Sequence, residues 1–349
     1  MYAIHAIDHD LWQITLPAPV FYPHLPAAHP CNVYLLAGSH APTLINVGHP
    51  TQHLALTRAL IDIGVHPERI ERVITTGWSI HLMGNIQAFP HAELFLYSPV
   101  MTEPEDYNAL VTQERAQWES IARELVEQHG YDQLCTLDEL DQFFDAYFPP
   151  VASKLNYTPL KDGHHIRVGS RMLEVLHTPG PQPNHICLWE PHSKELFTGD
   201  ITLDGLPYRL NEVHSYLSSQ QRLIDLEPHT LYPNYGQIAQ GKERAIQQVR
   251  RGQRFLNNFL TNATLTLHGA PSLIEFAEQD LGYKPAYVPR FALTLLTHQA
   301  FFEELVRARG IAAEGQGLNR RYGTDLEQAP VHQLARHSPA LMPLKSDDL

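Results

Sequence analysis

Ser79, His81 and Asp200 are the side chains of this 349-residue chain whose types could do chemistry together. A hydroxyl, an imidazole and a carboxylate supply a nucleophile, a base and an orienting group. Ser79 and His81 share the short stretch TTGWSIHLMGN (75–85), and Asp200 closes the run KELFTGD (194–200). Such a set would support metal-free hydrolysis. Each residue also has a structural role open to it. Ser79 is placed to cap a helix running through MGNIQAF. Asp200 can satisfy backbone amides at a strand end. Spacing leaves both readings open, because a catalytic set is recognised by geometry.

The elements that must position these residues follow from hydrophobic period. LWQITL (11–16) alternates and runs into the Pro- and His-rich loop FYPHLPAAHP (21–30). CNVYLLAG (31–38) and PTLINVG (42–48) read as a β-hairpin. TQHLALTRALIDIG (51–64) has helical apolar spacing and stops at Gly64. ERVITT (71–76) and AELFLYSP (92–99) are strands on either side of TTGWSIHLMGN, where a strand ends and a helix begins. Residues 103–150 are mostly helical, with Trp118, Ile121, Ala122, Leu125 and Val126 in a 3.6-residue rhythm. HHIRVG, RMLEVLHTPG, HICLWEP and KELFTGD are four successive strands. Beyond 240 comes a long amphipathic helix with Ile246, Val249, Phe255, Leu256 and Phe259 on its apolar face. Two more helices and the basic turn GLNRRYG (317–323) follow. Strands and helices alternating in two series predict an α/β layered fold.

From NVYLLAG to YPNYG the chain resembles the metallo-β-lactamase family, on five landmarks in order. CNVYLLAG and PTLINVG stand where that family writes an N-x-Y-L strand and then L-I-D-x-G. VITTGWSIHLMGN stands for T-H-x-H-x-D-H-x-G-N, and LEVLHTPGPQPNHICLW for T-P-G-H-T-P-G-H. KELFTGDITL matches F-x-G-D, and LYPNYGQ stands for P-G-H-G. The resemblance implies an α/β, four-layer αββα sandwich over 1–240, with a helical insert at 103–150 walling the cleft. It is closest to the subgroup carrying a C-terminal winged-helix-like domain, here 241–335, leaving 336–349 as a flexible tail.

The resemblance also implies a site for one or two divalent metals, held by histidines and carboxylates, whose bound water attacks the substrate. Here Gly77 and Ser79 take the first two histidine positions, His81 the aspartate position and Leu82 the third histidine. Pro181 replaces the T-P-G-H histidine, Tyr235 the P-G-H-G histidine, and Asn46 the L-I-D-x-G aspartate; Asp200 is kept. A one-residue shift puts Thr76, Trp78 and Ile80 on ligand positions and loses the Gly84-Asn85 match. Glycine, leucine and proline offer no side-chain donor. No metal ligands and no cofactor are therefore expected.

Ser79, His81, Asp200 and Tyr235 stand at positions that the resemblance places around one cavity. His81 is the nearest partner it offers for Asp200, with imidazolium charge standing in for metal. His185, His49 and Trp78 join Tyr235 as expected ligand-binding residues, although a structural hydrogen bond is the simpler role for His185. His24, His29 and His49 flank the cleft mouth, and a substitute metal site through His29 or His49 has no spacing signature. His164-His165 read as an exposed turn. The expected function is a pseudoenzyme with a degenerate metal site, binding a small molecule or a protein partner. The alternative is a thioester or ester hydrolase with a metal-free or mononuclear mechanism.

Composition narrows the partners. A formal net charge of −13 argues against nucleic acid and anionic membrane. Arg250, Arg251, Arg254 and the Arg320-Arg321 pair then read as solvated surface. Cys31, Cys135 and Cys187 are widely spaced and read as reduced thiols of a cytoplasmic protein. No apolar run reaches the ~18 residues of a membrane span, and MYAIHAIDHD is no secretory signal. The acidic, aromatic segment LDELDQFFDAYFPP (137–150) could line a pocket or a homodimer contact.

Overall fold

The computed structural model describes residues 1–18, 30–38, 41–98, 107–149, 156–202, 210, 212–266, 271–281, 287–309, 312–314 and 316–323. The expected loop histidines His24 and His29 and the tail at 336–349 lie outside them. Two mixed sheets face each other. The first runs in the order β1 (Ala3–Ala6), β2 (Leu11–Leu16), β3 (Cys31–Leu36), β4 (Thr43–Ile45), β5 (Arg72–Ile74), β6 (Glu93–Tyr97) and β7 (Tyr157–Leu160). The second runs from β13 (Ala239–Gln240) through β12 (Thr230–Pro233), β11 (Glu195–Gly199), β10 (Ile186–Glu190) and β9 (Arg171–His177) to β8 (His165–Val168).

Burial explains these strands. All six residues of β3 are buried, so apart from the hydrogen-bonded Asn32 its sequence is apolar rather than alternating. Between the sheets Tyr34, Ile45, Ile74 and Phe95 meet Leu173, Val175, Leu188, Phe197 and Tyr232 in one core. Tyr34 lies across that gap, its ring 5.4 Å from Phe197 and 5.5 Å from Tyr232. The outer faces are covered by helices, including α1 (His53–Ile63) and α5 (Val213–Asp225).

The helical insert is α3 (Tyr107–Gln128) and α4 (Leu137–Tyr147). Trp118, Ile121, Ala122, Leu125 and Val126 are all buried. Trp118 collects the rings of Phe143, Phe144, Tyr147 and Phe148, and its Nε1 donates to Pro289 O at 2.6 Å. Pro289 belongs to α8 (Val288–Arg309), which follows α6 (Lys242–Thr266) and α7 (Leu273–Leu281) and packs on α3. A hairpin of β14 (Ala312–Glu314) and β15 (Arg321–Gly323) completes this end, where Arg320 pairs with Glu303 and Arg321 with Glu275. Among the described residues, no helix is long and apolar enough to cross a membrane.

Candidate functional site

The candidate residues sit on loops leaving the C-terminal ends of β4, β5, β11 and β12, two parallel pairs, and on the β9–β10 connection. That edge is where open α/β sheets hold their ligands. Close backbone contact shapes it. After β4, Asn46 takes a left-handed conformation (φ 61). Its Oδ1 accepts from Thr76 N at 2.9 Å, tying β4 to the loop after β5 without the charge an aspartate would bring. Gly199 is also left-handed (φ 53), and a Cβ there would lie 2.6 Å from His185 Nε2 and 2.7 Å from Thr76 Oγ1. Only glycine fits that approach. Asn85 holds the 46–49 loop down, donating from Nδ2 to Val47 O and His49 O at 2.8 Å each.

Asp200 is the centre of the site. It is 7% exposed, and His81 Nε2 lies 2.8 Å from its Oδ2. Asn234 Nδ2 donates to its Oδ1 at 2.8 Å. Burial pushes the Asp200 carboxyl up, but His81, His185 and Asn234 together bring it below the ordinary carboxylate value. Ser79 Oγ stands 3.3 Å from His81 Nε2, the same nitrogen that meets Asp200. A nucleophile–base–orienter relay needs the hydroxyl and the carboxylate on opposite ring nitrogens. The three residues are gathered, but not in that order. Ser79 does hold the N-cap position of α2 (Ile80–Met83), yet its side chain makes no capping bond.

The other expected residues are also close by. Tyr235 is half-buried, with its ring 6.0 Å from that of His81. His185 is fully buried; Nδ1 meets Thr178 Oγ1 at 2.9 Å, while Nε2 accepts from Asp200 N at 3.0 Å. Burial pushes its pKa down to about 4. His185 is thus a neutral strut under Asp200. His49 is equally buried and is pushed down to about 3, chiefly by burial. Its Nε2 meets Tyr147 O at 2.7 Å, fastening α4 to the loop after β4. Trp78 donates its backbone N–H to Gln182 Oε1 at 2.8 Å, and its ring stands edge-on to Tyr157. Cys31, beneath the site, is pushed up to about 12 by burial and is no nucleophile. His164 and His165 are exposed; His164 follows the turn, while His165 is the first residue of β8 rather than part of the turn.

Asn234, Gln182 and Glu114 were not singled out from sequence. Glu114, on α3, takes Ile80 N at 3.3 Å on its Oε2. Their types are common and their spacing has no period, although Asn234 could have been flagged by its place within PNYG.

The donor set does not fit a paired-metal centre. Gly77 and Pro181 have no donor, and Leu82 is wholly buried hydrocarbon, which leaves His81 and Asp200 short of a paired-metal ligand set. A Cβ at position 77 would lie 2.8 Å from Gln182 Oε1, so an amide fills that space. Among the described residues, the side chains close enough to converge on an ion are Asp8, His9 and Asp10, and both aspartates there are ion-paired to Arg171.

A family model described as the metallo-beta-lactamase superfamily matches residues 103–235. The TTGWSIHLMGN stretch falls outside that match. The chain is 40% identical over 72 residues to the human protein named acyl-coenzyme A thioesterase MBLAC2, covering 19% of this chain and 25% of that one. It spans between 25% and 29% of the length of the first curated relatives it matches. Two solved structures share its fold over most of the chain. A beta-lactamase domain protein from Burkholderia ambifaria aligns with TM-score 0.71 at 16% identity, covering 92% of this chain and 94% of that one. A metallo-beta-lactamase family protein from Thermus thermophilus aligns with TM-score 0.65 at 21% identity, covering 91% and 100%.

Proposed function

We propose that this chain, which a metallo-β-lactamase superfamily model matches over residues 103–235 and whose fold two structures of that kind share, binds an acyl thioester or related ester without that family's paired-metal hydrolysis. The observation that carries this reading is the state of Asp200. A metal-bridging carboxylate works beside several other donors, and here its oxygens hold His81 and Asn234 while Gly77, Leu82 and Pro181 offer none. The ligand class is supported by the name of the human relative, acyl-coenzyme A thioesterase. The net charge of −13 supports a small molecule or protein partner over nucleic acid. The test is elemental analysis with a binding assay. Purified protein is expected to carry well under one equivalent of zinc, iron or manganese and to bind butyryl-coenzyme A without cleaving it. Two metals per chain that resist mild chelation would sink the reading.

The second reading is thioester hydrolysis through Ser79, favoured by the same relative's name. The shared Nε2 weighs against it. If it holds, cleavage persists in chelator and Ser79→Ala loses it by several orders of magnitude. Equal rates in the two proteins would remove Ser79 as nucleophile.

A further inference from the structure

The space beside Gly77 holds a side chain with an unused donor. Gln182 is 6% exposed. Its Oε1 accepts from Trp78 N at 2.8 Å, which fixes the orientation of the amide. Its Nε2 has no hydrogen-bond partner among the described residues, and it is not one of the partnerless atoms sealed from solvent. The backbone beneath it is braced. Gly180 packs against Tyr216 of α5, Pro179 O accepts from Ser219 Oγ at 2.8 Å, and Gln182 O accepts from His185 N at 3.2 Å. A fixed N–H on a nearly buried side chain, open to solvent and without a protein acceptor, is a donor that an incoming oxygen would satisfy.

We propose that Gln182 is a specificity-determining residue of the cleft, donating from Nε2 to a carbonyl oxygen of the bound ligand beside Gly77. This rests on the acyl-ester reading above. Positions 77 and 181 are two places where the family resemblance sets metal ligands, and the amide of the residue after Pro181 now fills the gap between them. A neutral carbonyl suits it better than a carboxylate, because the carboxylates of Asp200 and Glu114 flank the same loop. The amide therefore offers hydrogen bonding where a metal would have polarised the oxygen.

The experiment compares two probes, butyryl-coenzyme A and its thioether S-butyl-coenzyme A, which lacks only the carbonyl oxygen. Wild type is expected to prefer the thioester by roughly tenfold, the worth of one buried hydrogen bond with its partner left unsatisfied. Gln182→Glu keeps an oxygen for Trp78 N but removes the donor when ionised, so it should erase that preference, with a melting temperature lowered by the carboxylates of Asp200 and Glu114 nearby. The ratio cancels any general repulsion between the new carboxylate and the nucleotide. Gln182→Met, which loses both roles, should melt lower as well. A preference unchanged in Gln182→Glu overturns the assignment and leaves the ligand class standing. Equal wild-type binding of both probes overturns it too. Binding of neither probe overturns the acyl-ester reading and this inference together.

Discussion

His81 meets Asp200 and Ser79 through one nitrogen, so it serves as a counter-charge more readily than as a relay. Without it Asp200 would be a buried carboxylate bonded to Asn234 with no counter-charge, a costly state. The pair predicts the result of Asp200→Asn. The new amide would face Asn234 Nδ2 and His81 together, with one oxygen to accept from two donors. Breaking a buried pair costs roughly 3–5 kcal/mol, and the lower end applies here because the His81 side chain is 20% exposed. The pH dependence follows from the depressed Asp200 carboxyl. A group whose folded pKa lies below its unfolded value stabilises above the unfolded pKa and loses that contribution as pH falls through the folded one. The gap between wild type and Asp200→Asn in urea unfolding should be full near neutrality and close only below about pH 4. Equal stabilities at neutral pH would show that the charge of Asp200 contributes nothing to the fold.

The loops that carry these residues are held by asparagines rather than by ions. Asn32 N donates to Asn234 O at 2.6 Å, and its Nδ2 donates to Pro233 O and Gly236 O, so β3 fixes the loop bearing Asn234 and Tyr235. Asn85 does the same for the loop bearing His49. Asn85→Ala would strand two buried carbonyls, Val47 O and His49 O, at about 1–3 kcal/mol each. A melting temperature lower by several degrees is expected, and an unchanged one would mean that water takes over both bonds. The elements themselves were legible where burial leaves a pattern: the wholly buried β3, the rhythm of α3, the Gly64 stop of α1. β1, an exposed four-residue edge, and β7 carry no such pattern and were not expected. Ser79, His81 and Asp200 were legible because motif order fixes loop positions. Which nitrogen of His81 meets which oxygen was not, because that depends on ring orientation, and neither was Gln182 reaching back to position 77.

At the scale of the molecule, the buried imidazoles make the fold sensitive to acid. His49 and His185 sit at about 3 and about 4 in the folded chain, both held down by burial, against about 6.5 unfolded. Both are neutral struts: His49 ties α4 to the loop after β4 and His185 ties the β9–β10 loop to Asp200. As pH falls below the unfolded value, the unfolded chain takes up two protons that the folded chain refuses. Stability therefore falls with pH, by about 2.7 kcal/mol per unit for two such groups, until the folded values are approached. The depressed Asp200 adds its own loss only at the acid end of this window, so the imidazoles dominate between roughly pH 6 and pH 4.5. Denaturant midpoints measured across that range should give a steep slope for wild type. His185→Gln should be less stable at neutral pH, because Asp200 N loses its imidazole acceptor, yet its slope against pH should be about half as steep. His49→Gln should halve it likewise. If the single variants keep the full wild-type slope, the protons are taken up elsewhere among the 22 histidines, and the struts are not what acid attacks.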